Sequence, residues 1–212
     1  MDIRLSMNKS IIGLVAALIT TPVFADTGFY GELLLGNTNN ESKSKSDDDS
    51  VQVELEDHIK LSGSSTSYAL RGGYQFNDNF AIELSHHVYG DVTYKYTDRY
   101  DDTIKNKIDS NSNNIALKGI WPVTDAISLN ARLGAANWDF DVVATDSAYP
   151  DEVEKFSESG TDVYYGIGAE YILNDKVSLG IEYSTLSMKW GSGDIDVKHT
   201  VDSLSLVLQM KF

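Results

Sequence analysis

From Leu204 to the C-terminus every second residue is apolar: Leu204, Leu206, Leu208, Met210 and Phe212. Alternate residues of an extended strand share one face, so this stretch presents a wholly apolar side. The same period of two recurs in eight stretches, 28–37, 65–76, 80–90, 113–121, 126–138, 162–173, 176–186 and 200–212. In each, one parity is apolar and the other small or polar. The second stretch sets Tyr68, Leu70, Gly72, Tyr74 and Phe76 against Ser67, Ala69, Arg71, Gly73 and Gln75. Sustained alternation of this kind predicts strands. Helical periodicity is hard to find anywhere, and after residue 25 no apolar run approaches the roughly 20 residues of a membrane-spanning helix.

The connections alternate as well. Short turns at Asn77-Asp78-Asn79, Pro122-Val123-Thr124-Asp125 and Asn174-Asp175 are separated by long polar segments, expected as loops, at 38–64, 91–112, 139–161 and 187–199. An antiparallel order then puts every short turn at one end. A soluble sandwich has no reason to sort its connections this way, whereas an outer-membrane barrel does. The pattern predicts an all-β fold, an eight-stranded antiparallel up-and-down transmembrane β-barrel. With the apolar parity facing lipid, the outward set is Leu33, Leu35, Ile82, Leu84, Ile115, Leu117, Leu129, Leu133, Ile167, Leu179, Ile181 and the terminal series, and it carries no charge. The inward set holds Glu32, Glu83, Glu170 and Glu182 together with Arg71, Lys118, Arg132 and Lys211. An eight-stranded barrel has room for little beyond its own side chains, so balanced charges there predict a lumen plugged by ion pairs. Phe29, Phe76, Phe80, Trp121, Tyr171 and Phe212 all fall on the short-turn side, as an interfacial girdle would.

The N-terminus adds a compartment. Arg4 and Lys9 precede IIGLVAALI and then TTPVFAD, with Val23 and Ala25 suited to signal peptidase. Residues 1–25 are expected to be a signal peptide cleaved between Ala25 and Asp26, leaving 26–212 as the barrel domain; Met7 is an alternative start. No cysteine is present, which excludes disulfides, thiolate metal sites, a thiol nucleophile and lipid attachment. The net charge of -15 against 17 Lys plus Arg argues against a nucleic-acid partner. Most of the surplus acid lies in the long segments, where it suits divalent cations or simply a solvated surface. A metal site is left undetermined: Asp109-x-Asn111-x-Asn113 opens like a calcium loop, but Asn114 replaces the required glycine and Ile120 takes the last ligand position. VQVELEDHIKL, within the first long segment, alternates and is expected to form a hairpin above the membrane.

Catalysis finds little support. In Ser85-His86-His87, Ser85 and His87 share the interior and His86 faces outward alone. Asp139 with Asp141, and Asp194 with Asp196 near His199, are the acid pairs a protease would want, but such pairs are common in so acidic a chain. The chain is read as a non-enzyme without cofactors.

The stretches RGGYQFNDNFAIELS, LKGIWPVTDAISLNARLGAANWDFD and YYGIGAEYILN resemble the OmpA-like family of small eight-stranded outer-membrane barrels. The resemblance implies that Glu83, Lys118, Arg132 and Glu170 belong to a closed interior ion-pair cluster. A basic residue that the family can place on strand seven would fall at Gly180, where this chain departs. Leu208, Met210 and Phe212 are similar to the signal read by the barrel-assembly machinery. The resemblance further implies a monomer in a Gram-negative outer membrane, N-terminus periplasmic and long segments extracellular, among outer-membrane lipids and lipopolysaccharide. A structural or surface-interaction role is expected: envelope integrity, adhesion or host contact. The alternatives are a narrow cation-conducting, porin-like channel, or a lipid A-modifying enzyme or protease.

Overall fold

The computed structural model describes residues 27–46, 61–97, 102–149, 152–192 and 195–212. Eight strands form one closed barrel: β1 (Gly28–Ser46), β2 (Leu61–Asn77), β3 (Phe80–Thr97), β4 (Thr103–Pro122), β5 (Ile127–Asp146), β6 (Val153–Asn174), β7 (Val177–Ser192) and β8 (Ile195–Lys211). Each pairs antiparallel with the next. β8 returns to β1 in a register that sets Leu208 against Leu33 and Leu206 against Leu35, and the Phe212 N–H donates to the Phe29 carbonyl at 3.0 Å. Closure removes both sheet edges, where unpaired backbone groups would otherwise face lipid. The signal-peptide reading, with Ala25 and Asp26, and all but the last residue of VQVELEDHIKL lie outside the described residues.

The three short turns are built by one device. Asn77 Oδ1 accepts from the N–H groups of Asn79 and Phe80, Thr124 Oγ1 from those of Ala126 and Ile127, and Asn174 Oδ1 from those of Lys176 and Val177. A side-chain oxygen thus replaces a backbone carbonyl in closing each turn. The predicted outward residues are exposed without exception, from Leu208 at 37% to Phe212 at 86% within the C-terminal series.

The long segments differ from expectation. Where described, most of 38–64, 91–112, 139–161 and 187–199 is strand, so the strands run 16 to 22 residues. The reason is a reversal of polarity without loss of period. β5 turns Leu129 and Leu133 outward with Asn130 and Arg132 inward, and further along turns Asn137, Asp139 and Asp141 outward with Ala136, Trp138 and Phe140 inward. Its first half suits a wall with lipid outside. Its second suits a wall with water outside and a core within.

β3 makes the same change across a bulge between Val88 and Asp91, where Gly90 has φ 74°. A Cβ there would come 2.3 Å from the Thr66 carbonyl oxygen, so only glycine fits. The inward set moves from Ala81, Glu83, His87 and Tyr89 to Val92.

Candidate functional site

Seven strands each contribute one buried charge to a layer in the lumen. Glu32 (β1), Arg71 (β2), Glu83 (β3), Lys118 (β4), Arg132 (β5), Glu170 (β6) and Glu182 (β7) are all at most 9% exposed. Their parity forces them inward, and closure brings together residues up to 150 positions apart. Arg71 grips Glu182 with both terminal nitrogens at 2.9 Å and also donates to Glu32 at 2.5 Å. Arg132 donates from Nε to Glu83 at 2.7 Å and from Nη2 to Glu32 at 3.1 Å, and its Nη1 lies 2.8 Å from Glu182. Lys118 Nζ donates to Glu170 at 2.6 Å and to Glu32 at 3.0 Å. Charges this deeply buried persist because every partner is charge-assisted and close.

Lys211, read as the fourth interior base, is not brought into this layer. It stands at the short-turn rim, half-buried, and makes its contacts there. Gln209, two residues higher on β8, takes the place beside Lys118 and accepts from it at 3.2 Å. The layer therefore holds four acids and three bases, and neutral donors complete the acids. Tyr30 donates to Glu83 at 2.6 Å, Tyr164 to Glu182 at 3.0 Å and Asn130 to Glu170 at 2.9 Å. These neutral members were not singled out from the sequence, although each shares the inward parity of a charged neighbour. Gly180 faces Glu170, and a Cβ there would lie 2.8 Å from the Ala169 carbonyl oxygen, so no side chain takes the place of a strand-seven base.

Below the layer, a polar vestibule of about 630 Å³ opens at the short-turn end and reaches Lys118 and Glu170. Above it, Trp138, Tyr164, Leu186, Met188 and Val201, each at most 1% exposed, fill the barrel with apolar bulk. Phe140 and Trp190 continue this plug, their rings 4.7 Å apart. Beside it His199 packs on Phe140, with Nδ1 2.7 Å from Ser42 Oγ and Nε2 3.3 Å from Asn40 Oδ1. Burial pushes the His199 imidazole down to about 4, so it is neutral at physiological pH.

The candidate catalytic groups do not assemble. His87 Nε2 is 3.1 Å from Ser85 Oγ inside the barrel, while His86 is exposed and pairs with Asn113. Asp139 and Asp141 face outward beside Ser157, on the opposite side of the wall from His199; Asp194 lies outside the described residues. Asp109, Asn111 and Asn113 lie along one strand rather than around a loop, and no group of three or more His, Asp or Glu able to hold a metal occurs among the described residues. Leu208, Met210 and Phe212 form the exposed outer row of β8.

A closed antiparallel barrel with an apolar outer band and an ionic lumen defines an outer-membrane barrel. The chain belongs to the family described as the outer membrane protein beta-barrel domain, whose profile matches residues 11–212. No curated protein matches it in sequence. Among solved structures it is similar to Neisserial surface protein A, at 14% identity over 87% of this chain and 97% of that one, with a TM-score of 0.55. It is also similar to the outer membrane protein OprG from Pseudomonas aeruginosa, at 14% identity over 90% and 100%, TM-score 0.54. The attachment invasion locus protein Ail of Yersinia pestis matches at 16% identity over 85% and 99%, TM-score 0.45. These likenesses are of fold.

Proposed function

We propose that the protein is a closed, non-catalytic scaffold of the outer membrane that holds a tall β-structured wall outside the cell for surface contact. The observation that carries this reading is that the lumen is blocked twice, by the seven-residue ionic layer and by the plug from Trp138 to Met188. A conducting path would need to breach both. The same strands continue past the apolar band with polar outer faces, a form suited to display rather than transport. In this reading residues 1–25 direct export and are removed between Ala25 and Asp26. The barrel-assembly machinery reads Leu208, Met210 and Phe212, and the monomer inserts with its short turns in the periplasm and its far end among lipopolysaccharide. The far end contacts a host surface or another protein, and its acids are the groups that would attract divalent cations.

Planar-bilayer recording of the purified protein tests closure: the expected result is no steady conductance, and resolved channel steps would overturn the scaffold reading. Replacing residues 47–60 by a Gly-Ser linker tests display. Adhesion to cultured host cells should fall while heat-modifiable folding stays intact, and unchanged adhesion would remove the assigned role of that segment.

A further inference from the structure

The four acids of the lumen layer are not equally served by its three bases. Glu32 and Glu83 each form ion pairs with Arg71, Lys118 and Arg132, and Glu182 pairs with Arg71 and Arg132. Glu170 has Lys118 alone. Gly180, directly opposite it on β7, brings no side chain. The bonds from Lys118 and Asn130 both end on Glu170 Oε1, and among the described residues none reaches Oε2. The surplus negative charge of the layer therefore gathers at Glu170. At 9% exposed it is also the most accessible of the seven, and it lines the vestibule at the short-turn end.

An independent observation lies on the neighbouring strand. Ser178, 5% exposed, lines the same vestibule, and among the described residues its Oγ has no hydrogen-bond partner. It is the diagonal neighbour of Glu170 across the β6–β7 pair, one step nearer the turns. A buried hydroxyl without a bond is costly, so its place beside an under-served carboxylate points to a ligand that donates hydrogen bonds and carries positive charge. An anion is disfavoured. Lys118 also reaches the vestibule, but its three donors are spent on Glu32, Glu170 and Gln209. A metal ion is disfavoured as well, since no three His, Asp or Glu among the described residues gather to hold one. Beside the carboxylate the wall is apolar: Ile120 and Ile172 share the inward parity of Lys118 and Glu170, and Ile172 is 41% exposed within the vestibule. Such a wall suits an alkyl chain rather than a hydrated ion.

We propose that the vestibule binds a linear polyamine, one terminal ammonium on Glu170 Oε2 beside Ser178 and the alkyl chain along Ile120 and Ile172. The far ammonium lies at the rim, where Asp78, Asp125 and Asp175 outnumber Lys176 and Lys211. Asp175 stands five residues beyond Glu170. At about 3.3 Å per residue and a tilt of about 40°, that is a depth of about 13 Å, most of which a triamine of spermidine length spans. The cavity of about 630 Å³ has room for it. The ligand enters and leaves at the short-turn end, so the layer and the plug above it stay shut. The site rests neither on the orientation in the membrane nor on the surface-contact reading.

The test uses the full mature chain, folded in zwitterionic detergent at physiological ionic strength and followed by NMR as spermidine is added. Wild type is compared with Glu170→Gln and with Ser178→Leu, which fills the vestibule at constant charge. A turn variant, Asp78→Asn/Asp125→Asn/Asp175→Asn, removes the rim acids, and Asp139→Asn/Asp141→Asn removes exposed acids at the other end. The expected result is saturable binding with amide shifts confined to the short-turn end. Glu170→Gln and Ser178→Leu should each weaken it at least tenfold, the turn variant several-fold and the distal variant under twofold, all migrating as folded barrels. The turn variant changes only exposed residues, so it judges the site where a buried change prevents folding. Pentylamine, 6-aminohexanoate and magnesium chloride are titrated alongside, and each should bind at least tenfold more weakly than spermidine. Equal or tighter binding of aminohexanoate would overturn the polyamine in favour of a zwitterion. Equal binding of magnesium would mean an adventitious ion only. Absent saturation in wild type, equal weakening in the turn and distal variants, or shifts spread over the outer wall would overturn the site itself.

Discussion

Glu32 receives hydrogen bonds from Arg71, Lys118 and Arg132, residues of three different strands, and its side chain is fully buried. Its two oxygens hold three cations at close range, so its loss takes one buried charged partner from each of Arg71, Lys118 and Arg132 at once. Glu32→Gln preserves shape and removes the charge. Stability in urea, measured by tryptophan fluorescence in lipid vesicles, should fall by about 3 to 5 kcal/mol. Replacing an exposed acid such as Asp139 by Asn should change it by under about 0.5 kcal/mol. His199 gives a residue-scale prediction with a definite pH window. Its folded imidazole is held down at about 4 by burial, whereas in the unfolded chain it protonates near 6.5. The unfolded state therefore takes up a proton first as the pH falls. The stability present above about 6.5 is lost progressively down to about 4 and not further below it, a change on the order of 3 kcal/mol. In His199→Asn that part of the pH slope should disappear, as read from unfolding midpoints of variant and wild type across the window.

At the scale of elements, the strands join two walls of opposite polarity, and β5 shows how the joint works. Trp138 and Phe140 occupy the same parity as Arg132 and Asn130, so one inward row changes from ionic to apolar within a few residues. Trp138 is fully buried and its Nε1 donates to Asp162 at 3.0 Å. Trp138→Ala should leave a cavity that costs about 3 to 5 kcal/mol, measurable as a lowered urea midpoint. The eight strand cores, the three short turns and the outward row from Leu33 to Phe212 were legible in the sequence because lipid imposes one sign on the alternation. The upper strands were not, because a test for apolar-outward parity reads a polar-outward strand as a loop. Nor could the bulge at Gly90 be read, since one extra residue shifts the phase of β3 while leaving its composition unchanged. In the lumen, parity named the seven charges that meet in the layer. It also placed Lys211 there, because parity fixes the face of a residue and not its height along the barrel axis.

For the whole molecule, the ionic layer and the apolar plug are two barriers of different chemistry stacked along one axis, and their independence can be measured. The layer is a polar obstacle that water can approach from the vestibule at Lys118 and Glu170. The plug is an apolar one, closed by the packing of Trp138, Leu186 and Met188 in one buried cluster. Opening either alone should leave the lumen sealed. Met188→Ala/Leu186→Ala thins the plug above an intact layer, and bilayer current should stay at baseline. Glu182→Gln loosens the layer beneath an intact plug by removing the partner that Arg71 grips with two bonds, and it too should stay silent. Combining the three substitutions should give brief steps selective for anions, because Arg71 then lacks its main carboxylate and faces the axis. Steps in either parent variant would show that one barrier does all the sealing. Silence in the combined variant, with a folded barrel confirmed by its heat-modifiable migration, would show that the six remaining charges and the neutral donors Tyr30, Asn130 and Tyr164 still close the lumen.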